Sequence, residues 1–308
     1  NDGSFSIYSF SNFDNGRMDE SADAIIQYTH TPYEAYASKS QERGLLLSSE
    51  KYNSNSIKIK SNEFIYERDS NTNNYVRAMF ARWRNICSGS ATCYDEGVAY
   101  KIYTYLMRIK TETEKLFDSE TGVQLQSSNK IYTYNSQKLI ASISTTNSDN
   151  RTIKTETKYP ADYPYFNYYW GNPNPVENMK SANKLNYPIE QKTFINGKLT
   201  KLELIVYSDD RKNTGYGNSI IKPYETYSLN TDKPVDDFNS ISSGDGNTPH
   251  TISTRITKNF SYTYYPNGNL KEVINEKTGV TTTYVWGYNG LYLMAEVVGV
   301  NYNQLVGP

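Results

Sequence analysis

A chain of 308 residues with 32 basic and 33 acidic side chains carries a formal charge of −1. The two signs are interspersed, which leaves no electrostatic footprint for nucleic acid or an anionic membrane surface. Its length allows one large all-β unit or two ordinary domains, and apolar stretches such as residues 44–47 fall far short of the ~20 residues that span a bilayer. Thirty tyrosines stand against ten phenylalanines. Tyrosine suits a half-wet pleated surface, because its ring packs across strands while its hydroxyl reaches water or a backbone carbonyl.

In chain order, the first hundred residues carry mixed signals. Residues 34–43, ahead of Gly44, are compatible with a short glycine-capped helix. No single period sorts the apolar residues of 76–84. Its Arg77, Arg82 and Arg84 read either as an anion site or, more simply, as a solvated face. Cys87 and Cys93 flank Ser-Gly-Ser-Ala-Thr, a spacer flexible enough to bring the two within disulfide distance. The expected disulfide suits an oxidising compartment, and the alternative is two unrelated buried thiols. A zinc pair fits poorly, since neither His30 nor His250 is near and the spacing is wrong for a ligand set.

Further on, alternation becomes strict. Tyr103, Tyr105, Met107 and Ile109 share one face of a strand, as do Ile153, Thr155, Thr157 and Tyr159. Residues 252–264 and 280–286 read the same way. Asn196-Gly197 joins residues 189–195 to 198–207 as a two-residue hairpin, because both central positions favour positive φ. Pro266-Asn267-Gly268-Asn269, residues 119–122 and residues 276–279 mark further turns. One unit recurs loosely: an aromatic, a polar turn, then Lys-Leu or Asn-Leu opening a return strand. It appears at residues 134–139, 194–199 and 264–270, with irregular spacing. The expected fold is all-β, an antiparallel meander of hairpins forming an extended, curved sheet with little helix. Residues 1–100 form a β-rich part with the disulfide loop, continuous with a hairpin sheet over 101–308.

Chemical signals are sparse. The two histidines, His30 and His250, read as loop residues, and a hydrolase would need both near an acid in one cleft. No nucleophile elbow, phosphate-cradling loop or HExxH is present. The paired carboxylates Asp209-Asp210 and Asp236-Asp237 are explained by turn propensity, since sequence neighbours on a strand point to opposite faces. Asp245 and Asn247 offer oxygens to calcium but lack an EF-hand's ladder of ligands. No metal, cofactor or catalytic residue is therefore expected. The best binding candidate is the aromatic run 163–170, with Phe166, Tyr168, Tyr169 and Trp170 ahead of a Gly/Pro/Asn loop. It reads either as a platform for sugar rings or apolar side chains, or as an insertion that folds back to cap an open end of the sheet.

Tyr264-Tyr-Pro-Asn-Gly-Asn-Leu-Lys-Glu-Val273 and Thr281-Thr-Thr-Tyr-Val-Trp-Gly-Tyr-Asn-Gly290 resemble the YD-repeat, or RHS-like, proteins, and the Trp-Gly-Tyr-Asn-Gly run is similar to the large RHS-like surface proteins of Bacteroidetes. Arg43-Gly44-Leu45-Leu46, Tyr100-Lys-Ile-Tyr103, Lys158-Tyr-Pro-Ala-Asp162 and Pro188-Ile-Glu-Gln191 fit the same pattern. The repeats here are degenerate, few and irregularly spaced, whereas well-known relatives carry long arrays that enclose a toxin. The resemblance implies a bacterial, exported, non-enzymatic scaffold or interaction module. Its partners would be the remainder of a larger parent chain and a protein or glycan at the cell surface. The termini read as processing boundaries of such a parent. The alternative is a carbohydrate-binding or carbohydrate-processing module using the aromatic loop.

Overall fold

Runs of Thr, Tyr, Ile and Val at alternate positions give antiparallel strands along the whole chain. The computed structural model describes residues 3–21, 24–26, 37–68, 75–84, 94–163, 175–209, 221–229, 231, 233–241 and 251–306. They fall into two compact units, Asn1–Ile131 and Tyr132–Pro308.

The first unit contains β1 (Phe5–Phe10), β2 (Ala24–Ile26), β3 (Leu46–Tyr52), β4 (Lys58–Arg68), β5 (Tyr75–Arg84), β6 (Tyr94–Tyr103), β7 (Met107–Phe117) and β8 (Gln124–Tyr134), whose end from Tyr132 belongs to the second unit. Strands β1, β3, β4, β7 and β8 pair in that order, and β2, β6 and β5 form a separate three-stranded sheet. The ambiguous stretch 76–84 is strand, paired with β6 from Tyr75↔Tyr103 to Arg84↔Tyr94. The helix expected over 34–43 is, within the described residues, only a 3₁₀ turn, Ser40–Glu42. Ser11 holds that turn, exchanging backbone bonds of 2.8 and 2.9 Å with Gly44 and Leu45. The alternating tyrosines at 103–109 do not share one strand. β6 belongs to the small sheet and β7 pairs with β4 and β8, so the chain must cross over at residues 104–106.

The second unit is a meander in which each strand pairs with the next in sequence. It runs β9 (Ile140–Asn147), β10 (Thr152–Lys158), β11 (Glu190–Ile195), β12 (Lys198–Asp209), β13 (Ile221–Leu229), β14 (Ile256–Tyr264), β15 (Leu270–Asn275), β16 (Thr281–Gly287) and β17 (Tyr292–Val298). Helix α1 (Pro175–Ser181) lies between β10 and β11, and α2 (Tyr302–Val306) follows β17. The strand expected over 252–264 begins only at Ile256. Ile252 instead forms an isolated bridge to Ile241, and a turn at 254–255 separates it from β14.

Six of the turns follow two recurring designs. At 53–57, 135–139, 147–151 and 265–269, the first N–H bonds the last carbonyl and the fourth N–H bonds the first carbonyl, at 2.8–3.1 Å. The fourth position has positive φ in each, at Ser56, Lys138, Asn150 and Gly268. At 118–123 and 275–280 the turn is one residue longer and its fifth position is a glycine, Gly122 or Gly279. There the side chains of Asp118 and Asn275 accept two backbone N–H bonds each, which holds the turn open at the required width.

Apolar burial is unequal. In the second unit Leu199, Leu202 and Leu204 on β12 pack with Val176 and Met179 of α1, Ile189, Phe194 and Ile221 in one buried cluster. In the first unit, among the described residues, only Ala37 and Tyr105 are buried hydrophobics, beside the buried polar residues Ser11, Glu42 and Ser61. That unit's described strands are joined by their ladders and by cross-strand ion pairs such as Lys130–Glu112, 3.2 Å apart on directly opposed positions.

Candidate interaction surface

The tyrosines act in a regular way. In four paired strands, a tyrosine near the end of the return strand donates its hydroxyl to a carbonyl near the start of the strand before it. Tyr66 reaches Leu46 at 3.0 Å, Tyr159 reaches Ile140 at 3.2 Å, Tyr207 reaches Pro188 at 2.9 Å and Tyr264 reaches Pro223 at 2.7 Å. In the β15–β16 pair the indole N–H of Trp286 does the same work, 2.8 Å from the carbonyl of Leu270. An aromatic donor thus closes one end of each pair, and in four of the five a tight turn closes the other; β13 and β14 are instead joined by the long connection 230–255. Burial pushes the Tyr207 hydroxyl up to about 12, so it remains a donor throughout the physiological range.

Exposed apolar side chains occur on several strands, among them Val76, Met79 and Phe80 of β5 and Leu125 of β8, and they are continuous along the two edge strands β1 and β17. β1 is exposed along its whole length, with Phe5, Ile7, Tyr8 and Phe10 open to solvent. In the second unit Tyr292 and Met294 of β17, at 63% and 59% exposure, and Leu291 just before it, at 74%, are likewise open to solvent. Neither strand contains lysine or proline, the residues that usually blunt a free edge. The turn leading into β17 is rigid. Tyr288, Asn289 and Gly290 all have positive φ, and the Asn269 side chain donates to the Gly290 carbonyl at 2.6 Å. A Cβ on Gly290 would lie 2.2 Å from Nδ2 of Asn267. The Trp-Gly-Tyr-Asn-Gly run is therefore fitted to the preceding Asn267-Gly268-Asn269 turn.

Against known proteins, no family model and no curated protein matches this chain. Among solved structures, the one titled "Crystal Structure of TcdB2-TccC3-Cdc42" aligns over 95% of this chain with 8% identity and a TM-score of 0.48. This chain spans 17% of the length of that one.

Of the binding candidates read from the sequence, Phe166, Tyr168, Tyr169 and Trp170 lie outside the described residues, as do Cys87, Cys93, His30, His250, Asp210, Asp245 and Asn247. Tyr163, which opens the aromatic run, packs against the buried cluster of the second unit. Asp209 ends β12. Among the described residues no three His, Cys, Asp or Glu side chains gather as a metal would need, and no helix is long and apolar enough to cross a membrane.

Two polar clusters escape sequence reasoning, because their members are far apart in the chain. In the first unit the buried Glu42 carboxylate meets the Tyr105 hydroxyl, Arg17 at 2.6 Å and Arg68 at 2.6 Å. Burial acts to raise its pKa, but the hydroxyl and the two guanidinium groups outweigh that and hold it below the usual glutamate range. In the second unit Glu190 and Lys192, alternate residues of β11, both point inward, where Ser240 donates to Glu190 and Asp237 lies 2.7 Å from the Lys192 ammonium. The carboxylates Asp236 and Asp237 do not act together. Asp236 takes Lys198 at 2.5 Å and Asp237 takes Lys192.

Proposed function

We propose that this chain is a non-enzymatic structural and interaction module of an exported bacterial scaffold of the RHS-like kind, part of a longer repeat protein. The observation that carries this reading is the repeated closure of strand pairs by Tyr66, Tyr159, Tyr207, Tyr264 and Trp286. It gives a physical role to the tyrosine-led repeat on which the resemblance rests. Four tyrosines are engaged in holding sheet together, and the edge strands β1 and β17 carry free apolar side chains, where affinity for an extended partner strand would come from main-chain bonds. Fractionation of the native cells with an antibody against this chain tests the reading. Recovery in the medium or at the cell surface, within a species larger than 35.2 kDa, is expected. Recovery as a free cytoplasmic protein of that size would reject it.

The second reading is a carbohydrate-binding or carbohydrate-processing module built on Phe166, Tyr168, Tyr169 and Trp170. A glycan array decides between the two, since reproducible binding that disappears in Trp170→Ala would favour the carbohydrate module.

A further inference from the structure

Lys192 is a buried lysine in contact with one carboxylate and beside a second. Its side chain is 4% exposed, and the ammonium lies 2.7 Å from Oδ1 of Asp237, one bond from the carbon that an amine would attack. Nζ also donates to the Phe238 carbonyl at 2.6 Å, which fixes it beside that carboxyl. Glu190, 3% exposed, places Oε1 3.7 Å from the same nitrogen. That oxygen is buried and accepts no hydrogen bond among the described residues, although Lys158 lies 3.2 Å away as an ion pair. Its other oxygen is held by the Ser240 hydroxyl. A third group with spare proton-accepting capacity thus stands beside an amine and a carboxyl already in contact.

We infer that Lys192 and Asp237 condense into an intramolecular isopeptide bond, with Glu190 as the proton carrier. The step is balanced without any co-reactant: Nζ bonds to Cγ of Asp237, the bond from Cγ to one carboxylate oxygen breaks, and the ammonium and carboxylate become one amide and one water. Glu190 accepts a proton from the ammonium, freeing the nitrogen lone pair, and passes it to the carboxylate oxygen; after attack it relays a second proton from the nitrogen to the same oxygen, which leaves as water while the amide nitrogen keeps its one hydrogen. Two features favour the product. The partners are held in contact, so little entropy remains to be lost in the reaction. Amide formation also removes two opposite charges, one of them deeply buried, and so relieves their desolvation. Asp237 is 55% exposed on its outer side, which gives the water an exit. The adjacent Lys198–Asp236 pair, 56% and 85% exposed, is an ordinary surface ion pair by comparison.

The bond would tie β11 to the segment 233–241, which already bridges Leu199 through Val235 at 2.8 and 2.9 Å. That segment supplies Ile241 to the buried cluster, so the tie would fasten the cover of the core covalently to the sheet. An exported scaffold would gain resistance to unfolding and proteolysis that needs no cysteine.

Intact-mass spectrometry of the folded, reduced full chain tests this. The expected mass is that of the sequence less one water, with a branched proteolytic fragment joining the peptides that contain Lys192 and Asp237. Lys192→Arg should restore the full mass, which separates an isopeptide from a cyclic imide formed at Asp237 alone. Glu190→Gln should also show the full mass while keeping the β-sheet circular dichroism of the parent. A parent chain at full sequence mass, or a missing water that survives Lys192→Arg, would overturn the inference.

Discussion

Tyr105 donates its hydroxyl to the buried carboxylate of Glu42, sixty-three residues earlier in the chain. Arg17 and Arg68 complete the carboxylate's surroundings. Among the described residues of the first unit little hydrocarbon is buried, and there this cluster ties segments far apart in the chain. Glu42→Gln should destabilise the first unit by about 2 kcal/mol at neutral pH, since it strands two guanidinium groups and weakens a charged hydrogen bond.

That loss has a definite pH dependence. Glu42 titrates below its ordinary range in the folded chain, so its contribution is fully present above the unfolded pKa and is lost as pH falls through the lower, folded one. Urea titrations should therefore show the gap between parent and Glu42→Gln widest at neutral pH and closing on acidification. A gap that stays constant down to about pH 3 would mean the carboxylate is not the stabilising species.

The Asn196-Gly197 turn places both residues at positive φ, 50° and 81°. No atom lies within 4 Å of a Cβ built on Gly197, so a substitution there meets backbone strain and not a clash. Gly197→Val should cost about 1 kcal/mol or more in denaturant stability, because a β-branched residue resists that conformation. An unchanged midpoint would show that the turn relaxes to another form.

Gly287 and Gly290 make a matched comparison within one motif. A Cβ on Gly287 would meet the Met294 side chain at 2.6 Å, but that side chain is exposed and can swing away. A Cβ on Gly290 would meet the Asn267 amide at 2.2 Å, and the residue also sits at φ 84°. Gly290→Ala should lower stability by about 2 kcal/mol and Gly287→Ala by less than about 1, as read by thermal unfolding. Equal effects would contradict the fitted-turn description.

Much of the fold was legible where a local rule governs it. Asn196-Gly197, Gly122 and Gly279 announce turns because positive φ restricts the residue type, and the alternation at 153–159 admits only a strand. The misread segments depend on distant partners. Tyr103 and Tyr105 alternate like one strand, yet a change of sheet between β6 and β7 separates them. Ile252 is in phase with β14 but pairs with Ile241 instead. The Glu190, Lys192 and Asp237 cluster was illegible for the same reason: Lys192 and Asp237 are 45 residues apart, and an inward lysine on β11 looks like an ordinary solvent-facing one. That tyrosine hydroxyls would find carbonyls was foreseeable from composition, but their regular placement at the open ends of strand pairs needed the register.

Equilibrium denaturation of a triple variant, Tyr159→Phe, Tyr207→Phe and Tyr264→Phe, tests the aromatic closure most directly. Each change removes one hydroxyl bond, of 3.2, 2.9 and 2.7 Å, and leaves the ring in place. Tyr207 lies opposite Pro223, whose carbonyl Tyr264 takes, so those two losses are coupled and the three together should come to about 2 to 3 kcal/mol in the second unit. A combined loss below about 0.5 kcal/mol would show that the hydroxyls merely touch carbonyls that water serves equally well, and that tyrosine is not what holds these strand pairs closed.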